Sequence, residues 1–146
     1  MSRYVARFAS FLAALSFAWG LAVDSVAADK PKAKERVVLQ VSDDNPRTWN
    51  QALNVIENLQ QTYGKENVHI KLVAFGFGIG ILKFDSVAAN RVEEALQSGA
   101  QLLACEITMR RQKLTKADMA PNLGYVSAGV VEIIELQKQG WTVIRP

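Results

Sequence analysis

Val37-Val38-Leu39-Gln40-Val41, then Asp43-Asp44-Asn45-Pro46, then Trp49, Leu53, Ile56, Leu59 and Tyr63 before Gly64: this stretch decides the fold. A continuous β-branched run suits a strand covered on both faces. The acidic pair ends it. Asn45 is suited to cap a helix and Pro46 to open one, because the N–H that proline lacks would be unpaired there. The apolar residues that follow recur at helical spacing as one stripe, and Gly64 closes it.

Downstream the alternation continues. Residues 68–75 read as a second strand and lead into Gly76-Phe77-Gly78-Ile79-Gly80. Ser86, or Asp85 before it, is expected to cap a helix carrying Ala88, Val92, Ala95 and Leu96 that stops at Gly99. Residues 101–105 make a third strand. Residues 106–122 are less regular, although Thr115-Lys116-Ala117-Asp118 fits a capping box for a short helix. Residues 123–126 read as a brief strand, about 128–139 as a helix closed by Gly140, and 141–144 as a final strand. Strands alternating with helices imply parallel β-α-β units with right-handed crossovers. The expected architecture is a three-layer α/β/α sandwich with about five mostly parallel strands. In open sheets of this kind, sites form outside the carboxyl ends of strands where the strand order reverses. The loops at 43–46, 76–82 and 105–111 are expected to gather there.

Upstream the character changes. Arg3 and Arg7 precede an uncharged apolar run from Phe8 to Val23, then small residues ending in Val26-Ala27-Ala28, then polar Asp29-Lys30-Pro31-Lys32. That layout is a secretory signal peptide, residues 1–28, cleaved after Ala28. An uncleaved anchor is the competing reading, but the run is short for a span of about 20 apolar residues. Residues 29–35 follow as a charged, flexible leader, and one domain occupies 36–146. No stable membrane insertion is expected after cleavage. Export points to a periplasm, with secretion as the alternative. The formal net charge of +3 is too weak and too scattered for a nucleic-acid surface.

The chain has a single cysteine. An exported domain of this size often uses disulfides, yet this one cannot form an internal bridge. Cys105 falls at the end of the third strand, before a basic stretch containing Arg110, Arg111, Lys113 and Lys116. A thiol is nucleophilic as its thiolate, a form that nearby cations or a helix N-terminus favour. If Thr108 to Arg111 turns helically, backbone N–H groups point toward the sulfur. Three readings stay open: a buried hydrophobe, a functional thiol, or a redox-responsive link to a second chain.

Three stretches together resemble the DsrE/DsrF-like family, in its small exported branch. They are Val41-Ser42-Asp43-Asp44-Asn45-Pro46 with Trp49-Asn50; Ala104-Cys105-Glu106-Ile107-Thr108-Met109; and Ala128-Gly129-Val130-Val131-Glu132-Ile133-Ile134 with Gly140-Trp141. Leu114-Thr115-Lys116-Ala117-Asp118-Met119 also fits, so the resemblance spans nearly all of 36–146. It implies a flavodoxin-like fold, a homo-oligomer (trimer or hexamer), and sulfur carried as a persulfide on the cysteine after the third strand, here Cys105. A sulfur donor or acceptor protein would then be the partner. Arg110 and Arg111 are the candidates for attracting an anionic donor, with Asn45 and Thr108 beside them as substrate-binding residues. The alternative function is a non-catalytic oligomeric binding module in which Cys105 is structural.

Other signals are weaker. The glycine run follows a strand but fails the dinucleotide fingerprint: its third glycine comes too early, and Asp85 is too close to serve as the ribose acid. It reads instead as a tight loop packed against a neighbouring element, and no cofactor is expected. His69 starts a strand, at the end of the sheet away from Cys105, so neither a Cys–His catalytic pair nor a metal site is expected. Asp43 and Asp44 suit the positive end of the following helix better than acid/base work.

Overall fold

The computed structural model describes residues 34–146, so the expected signal peptide and most of the expected leader lie outside the described residues. The first strand, β1 (Glu35–Val41), runs into helix α1 (Pro46–Tyr63) and then β2 (Val68–Ala74). A 3-10 segment (Gly76–Leu82) and α2 (Ala89–Gln97) lead to β3 (Gln101–Cys105) and the short α3 (Glu106–Arg111). A second 3-10 turn (Lys116–Asp118) precedes β4 (Gly124–Val126), α4 (Gly129–Lys138) and β5 (Thr142–Ile144). Within the irregular 106–122 stretch, the Thr115–Asp118 capping box forms as expected: Asp118 accepts from both the N–H and the hydroxyl of Thr115 at 2.7 Å.

The five strands form one sheet in the order β4-β3-β2-β1-β5, with every pairing parallel. Alternation along the strands divides the core between two faces. Val37, Leu39 and Val41 of β1 point to the face packed by Trp49, Leu53 and Ile56 of α1 and Val92 of α2. Val38, with Val73 and Leu103, points to the other face, where Ile133 and Leu136 of α4 cover it. This two-sided burial is why Val37 to Leu39 of β1 reads as an unbroken apolar run. The fold is the expected three-layer, flavodoxin-like α/β sandwich.

The connections explain the layers. From β1 to β4 the chain always steps the same way along the sheet, then returns across three strands to place β5 beside β1. A right-handed crossover stepping in the opposite direction must lie on the opposite face. So, among the described residues, α4 is the one helix that packs there.

Two expectations need correction. The strand order reverses between β1 and β5, whereas Cys105 ends β3, two strands further along. The three loops line the carboxyl end of the sheet because β1, β2 and β3 are consecutive neighbours, not because the order reverses at them. Secondly, α2 starts at Ala89 without a side-chain cap. Ser86 instead accepts from the Ala88 N–H at 3.2 Å, closing a separate turn ahead of the helix.

The glycine loop is tightly packed. A Cβ on Gly78 would lie 2.4 Å from the Val41 carbonyl oxygen, so only glycine lets this backbone cross the end of β1. Ile79, Ile81 and Leu82 are fully buried beneath it.

Candidate functional site

The site is built at the end of β3, where Cys105 is both the last strand residue and the residue preceding α3. Its side chain meets the start of α4 from the neighbouring crossover. The Gly129 N–H donates to Cys105 Sγ at 3.2 Å. Ala128 supplies no side-chain cap, so the sulfur takes the place a capping oxygen would hold. Gly129 permits this approach because a Cβ there would stand 3.1 Å from both Phe75 and Val73. Pairing of β3 with β4 brings α3 and α4 together, and the Ile107 N–H reaches the Ser127 carbonyl at 3.2 Å.

Thr108 completes the surroundings. It is buried, and its hydroxyl oxygen accepts from the Gly76 N–H at 3.0 Å. Gln112, one turn later on the same side of α3, donates to the Gly76 carbonyl at 3.0 Å. The glycine, at a φ of +57°, is therefore held on both sides by one helix. Burial pushes the Cys105 thiol up, but hydrogen bonds from the Thr108 side chain, the Gly129 N–H and the N–H groups of Thr108 and Ile107 outweigh it. The thiol is held below its ordinary value. The sulfur is only 5 % exposed with its residue, so any reagent must come through the rim formed by these three segments.

The expected substrate-binding residues are not brought together. Thr108 faces the sulfur and the glycine loop from a buried position, which makes it a neighbour of the thiol more than a surface ligand. Arg110 and Arg111 are exposed on the last turn of α3, and neither is among the groups that lower the thiol. The lowering was expected from cations or from a helix N-terminus, and the groups that supply it are N–H and O–H donors. Asn45 is two strands away at the end of β1 and uses its side chain as the α1 cap, accepting from the Arg47 N–H at 2.9 Å. Asp43 accepts a hydrogen bond from the Trp49 indole on its backbone oxygen at 2.8 Å, while its side-chain Oδ1 is buried without a partner. His69 is exposed beside Arg36 at the opposite end of the strands, as expected.

A depression of about 540 Å³ adjoins the rim, lined by Asp44, Trp49, Phe77, Lys83, Val87 and Gln112. Phe77 and Val87 are strongly exposed apolar groups there. Gly129 and Gly76 are the positions around the thiol that residue-type reasoning missed. The available signal was a glycine opening a helix directly after a strand, where backbone must pass close to another group.

Comparison with known proteins places the chain. It is 30% identical to a protein of unknown function, MTH1491 from Methanobacterium thermoautotrophicum, with a TM-score of 0.74 over 77% of this chain and 100% of that one. The chain belongs to that protein's family. At 18% identity it shares its fold with BT1422 from Bacteroides thetaiotaomicron, a conserved protein of unknown function, with a TM-score of 0.64 over 77% of this chain and 95% of that one. The ychN protein from E. coli, at 9% identity, has the same fold with a TM-score of 0.64 over 77% and 99% of the two chains. No family model and no curated protein matches the chain.

Proposed function

We propose that this chain is an exported, DsrE/DsrF-like sulfur carrier that holds sulfane sulfur on Cys105 and passes it to an acceptor thiol. One observation carries the reading: the thiol receives the Gly129 N–H at 3.2 Å and, with Thr108 among the groups that lower it, is held below its ordinary value although it is buried. A sulfur atom that must act as nucleophile and later as leaving group gains from that environment in both roles.

The chemistry balances without an outside oxidant. The Cys105 thiolate attacks the outer sulfur of thiosulfate. The S–S bond of the donor breaks with its electron pair going to sulfite, and Cys105 is left as a persulfide that takes a proton from water. An acceptor thiolate then attacks the outer sulfur, which moves with its proton, and Cys105 leaves as thiolate. Arg110 and Arg111 contribute at longer range by drawing an anionic donor toward the rim. The exposed Phe77 and Val87 suit contact with a donor or acceptor protein. Val130, Val131 and Ile134, exposed on α4, favour assembly as a homo-oligomer, a trimer or hexamer. The periplasm is the compartment that the amino-terminal sequence suggests.

Incubation with polysulfide or thiosulfate is expected to add one sulfur atom to the protein by mass spectrometry, and none to Cys105→Ser. Native protein that gains no sulfur from several donors overturns the reading. The low exposure of Cys105 favours a second one, an oligomeric binding module with a structural cysteine. In that case a small alkylating agent labels the thiol only after unfolding.

A further inference from the structure

The depression beside the rim is walled by the end of β1, the glycine loop and residues 83–87, and it shares Gln112 with the bonds that hold Gly76. A Cβ on Gly80 would come within 2.9 Å of the Trp49 ring, so glycine at that position keeps the space over the ring open. Two apolar side chains stand out at the opening, Phe77 at 76% exposure and Val87 at 82%. Large apolar groups gathered at one opening, and not scattered singly, mark a contact surface. The charges there do not balance. Asp44, Asp85 and Lys83 line the depression, and Lys83 is paired with Asp85 at 3.2 Å. Among the described residues the Asp44 carboxylate has no hydrogen bond or ion pair. Nor does it cap α1: Asn45 takes the Arg47 N–H, while Asp44 Oδ1 lies 3.8 Å from the place a Cβ on Gly80 would hold. Asp43 Oδ1, next in the chain, is buried without a partner among the described residues.

We propose that this depression seats a partner protein that presents an apolar side chain beside a lysine or arginine: the apolar group packs against Phe77 and Val87, and the cation meets Asp44. The inference deepens the sulfur-carrier reading, since it names the chemistry of the protein that exchanges sulfur with Cys105, and it rests on that reading for the partner's role. Charge complementarity selects the occupant. An uncompensated carboxylate repels thiosulfate and polysulfide, so the seat does not serve a small anionic donor; Arg110 and Arg111, which would attract one, do not line it. A small neutral ligand is gripped by polar groups converging inside a pocket that encloses it. Here apolar groups rise at the opening with charge beside them, as in the apolar centre and polar rim of a protein contact. The seat and the thiol's surroundings share the glycine loop: Phe77 follows Gly76, whose N–H goes to Thr108 and whose carbonyl is held by Gln112, each at 3.0 Å. A partner resting on Phe77 therefore brings its own thiol to the rim around Cys105.

The experiment measures binding of labelled short peptides to the full chain by fluorescence anisotropy. The probes have a neutral polar sequence around either Leu-Lys-Leu or Leu-Glu-Leu, and neither contains cysteine. The lysine peptide should bind about fivefold more tightly than the glutamate peptide, a ratio that shrinks as salt is added. Phe77→Ala should weaken both peptides about tenfold, as removal of an aromatic anchor does. Asp44→Lys should invert the order, so that the glutamate peptide becomes the tighter one; if that variant fails to fold, Asp44→Asn should abolish the preference. Peptides that bind equally, or that fail to bind, overturn the proposal. So does a preference that survives Asp44→Asn, or Phe77→Ala binding like wild type. If the peptides fail and sedimentation shows an oligomer that Phe77→Ala dissociates, a second copy of this chain is the occupant and the proposal falls in its favour. Binding needs no sulfur, and loading of Cys105 is measured separately by mass spectrometry, so the seat and the carrier reading can fail independently.

Discussion

Helices α1 and α4 both begin at the carboxyl end of the sheet, and both turn the positive end of their dipole toward it. They finish that end differently. At α1 the local sequence is self-sufficient: Asn45 accepts from the Arg47 N–H, its carbonyl accepts from Trp49, and Pro46 has no N–H to satisfy. At α4 the preceding residue is Ala128, which offers no side-chain acceptor, and the first N–H goes to a sulfur from another strand. A helix start closed by its own residues contributes to folding alone. One that is left open can lend its N–H to chemistry, and Cys105 is the group that receives it.

The largest expected break in this contrast is Gly129→Ala. The added Cβ would meet Phe75 and Val73 at 3.1 Å, inside the second-face cluster where Val73 has no exposed surface. Either those side chains give way or the helix start backs off from the sulfur, and the N–H bond at 3.2 Å is the softer of the two. The thiolate fraction near neutrality should drop about tenfold, by the loss of one charge-assisted hydrogen bond. Thiolate absorbance against pH reads it directly, and an unchanged midpoint would show that Gly129 is not a donor of consequence.

The matching change at the other helix, Asn45→Ala, should do the reverse. Removing the cap costs about 1 kcal/mol of stability, measured by urea denaturation, while the Cys105 titration stays in place. A shift of the thiol in this variant would mean that the end of β1 communicates with the end of β3 after all.

These two positions also show what a linear reading can reach. The strand–cap–helix start at 37–63 was legible because side-chain type decides every step of it: β-branched residues, an asparagine cap, a proline, then a stripe at helical period. Cys105 at the end of the third strand was legible for the same reason. The strand order was not, since nothing in the order of elements says on which side of β1 the last strand will dock. Nor was the donor from α4, although N–H groups of the turn after Cys105 were expected near the thiol. Backbone N–H groups occur at nearly every residue, so their use by Cys105 leaves no compositional trace beyond the glycines at 76 and 129. The basic residues Arg110 and Arg111 drew the eye because charge is visible in a sequence, yet the lowering of the thiol is the work of groups without formal charge.

The smallest expected effect sharpens the contrast through pH. Because the folded thiol is held below its ordinary value of 9.0, the native chain releases its proton at a lower pH than the unfolded chain does. Between the folded value and the unfolded one the unfolded state binds more protons, so stability rises with pH across that window. The contribution is complete above the unfolded value and is lost as pH falls through the folded one. Thermal unfolding of the full chain, compared with Cys105→Ser over the same pH series, should show a difference that grows toward alkaline pH in favour of the native cysteine. The Asn45→Ala variant should retain that growth and Gly129→Ala should lose most of it. A difference that stays flat with pH, or that grows equally in both variants, would place the open start of α4 among ordinary helix ends.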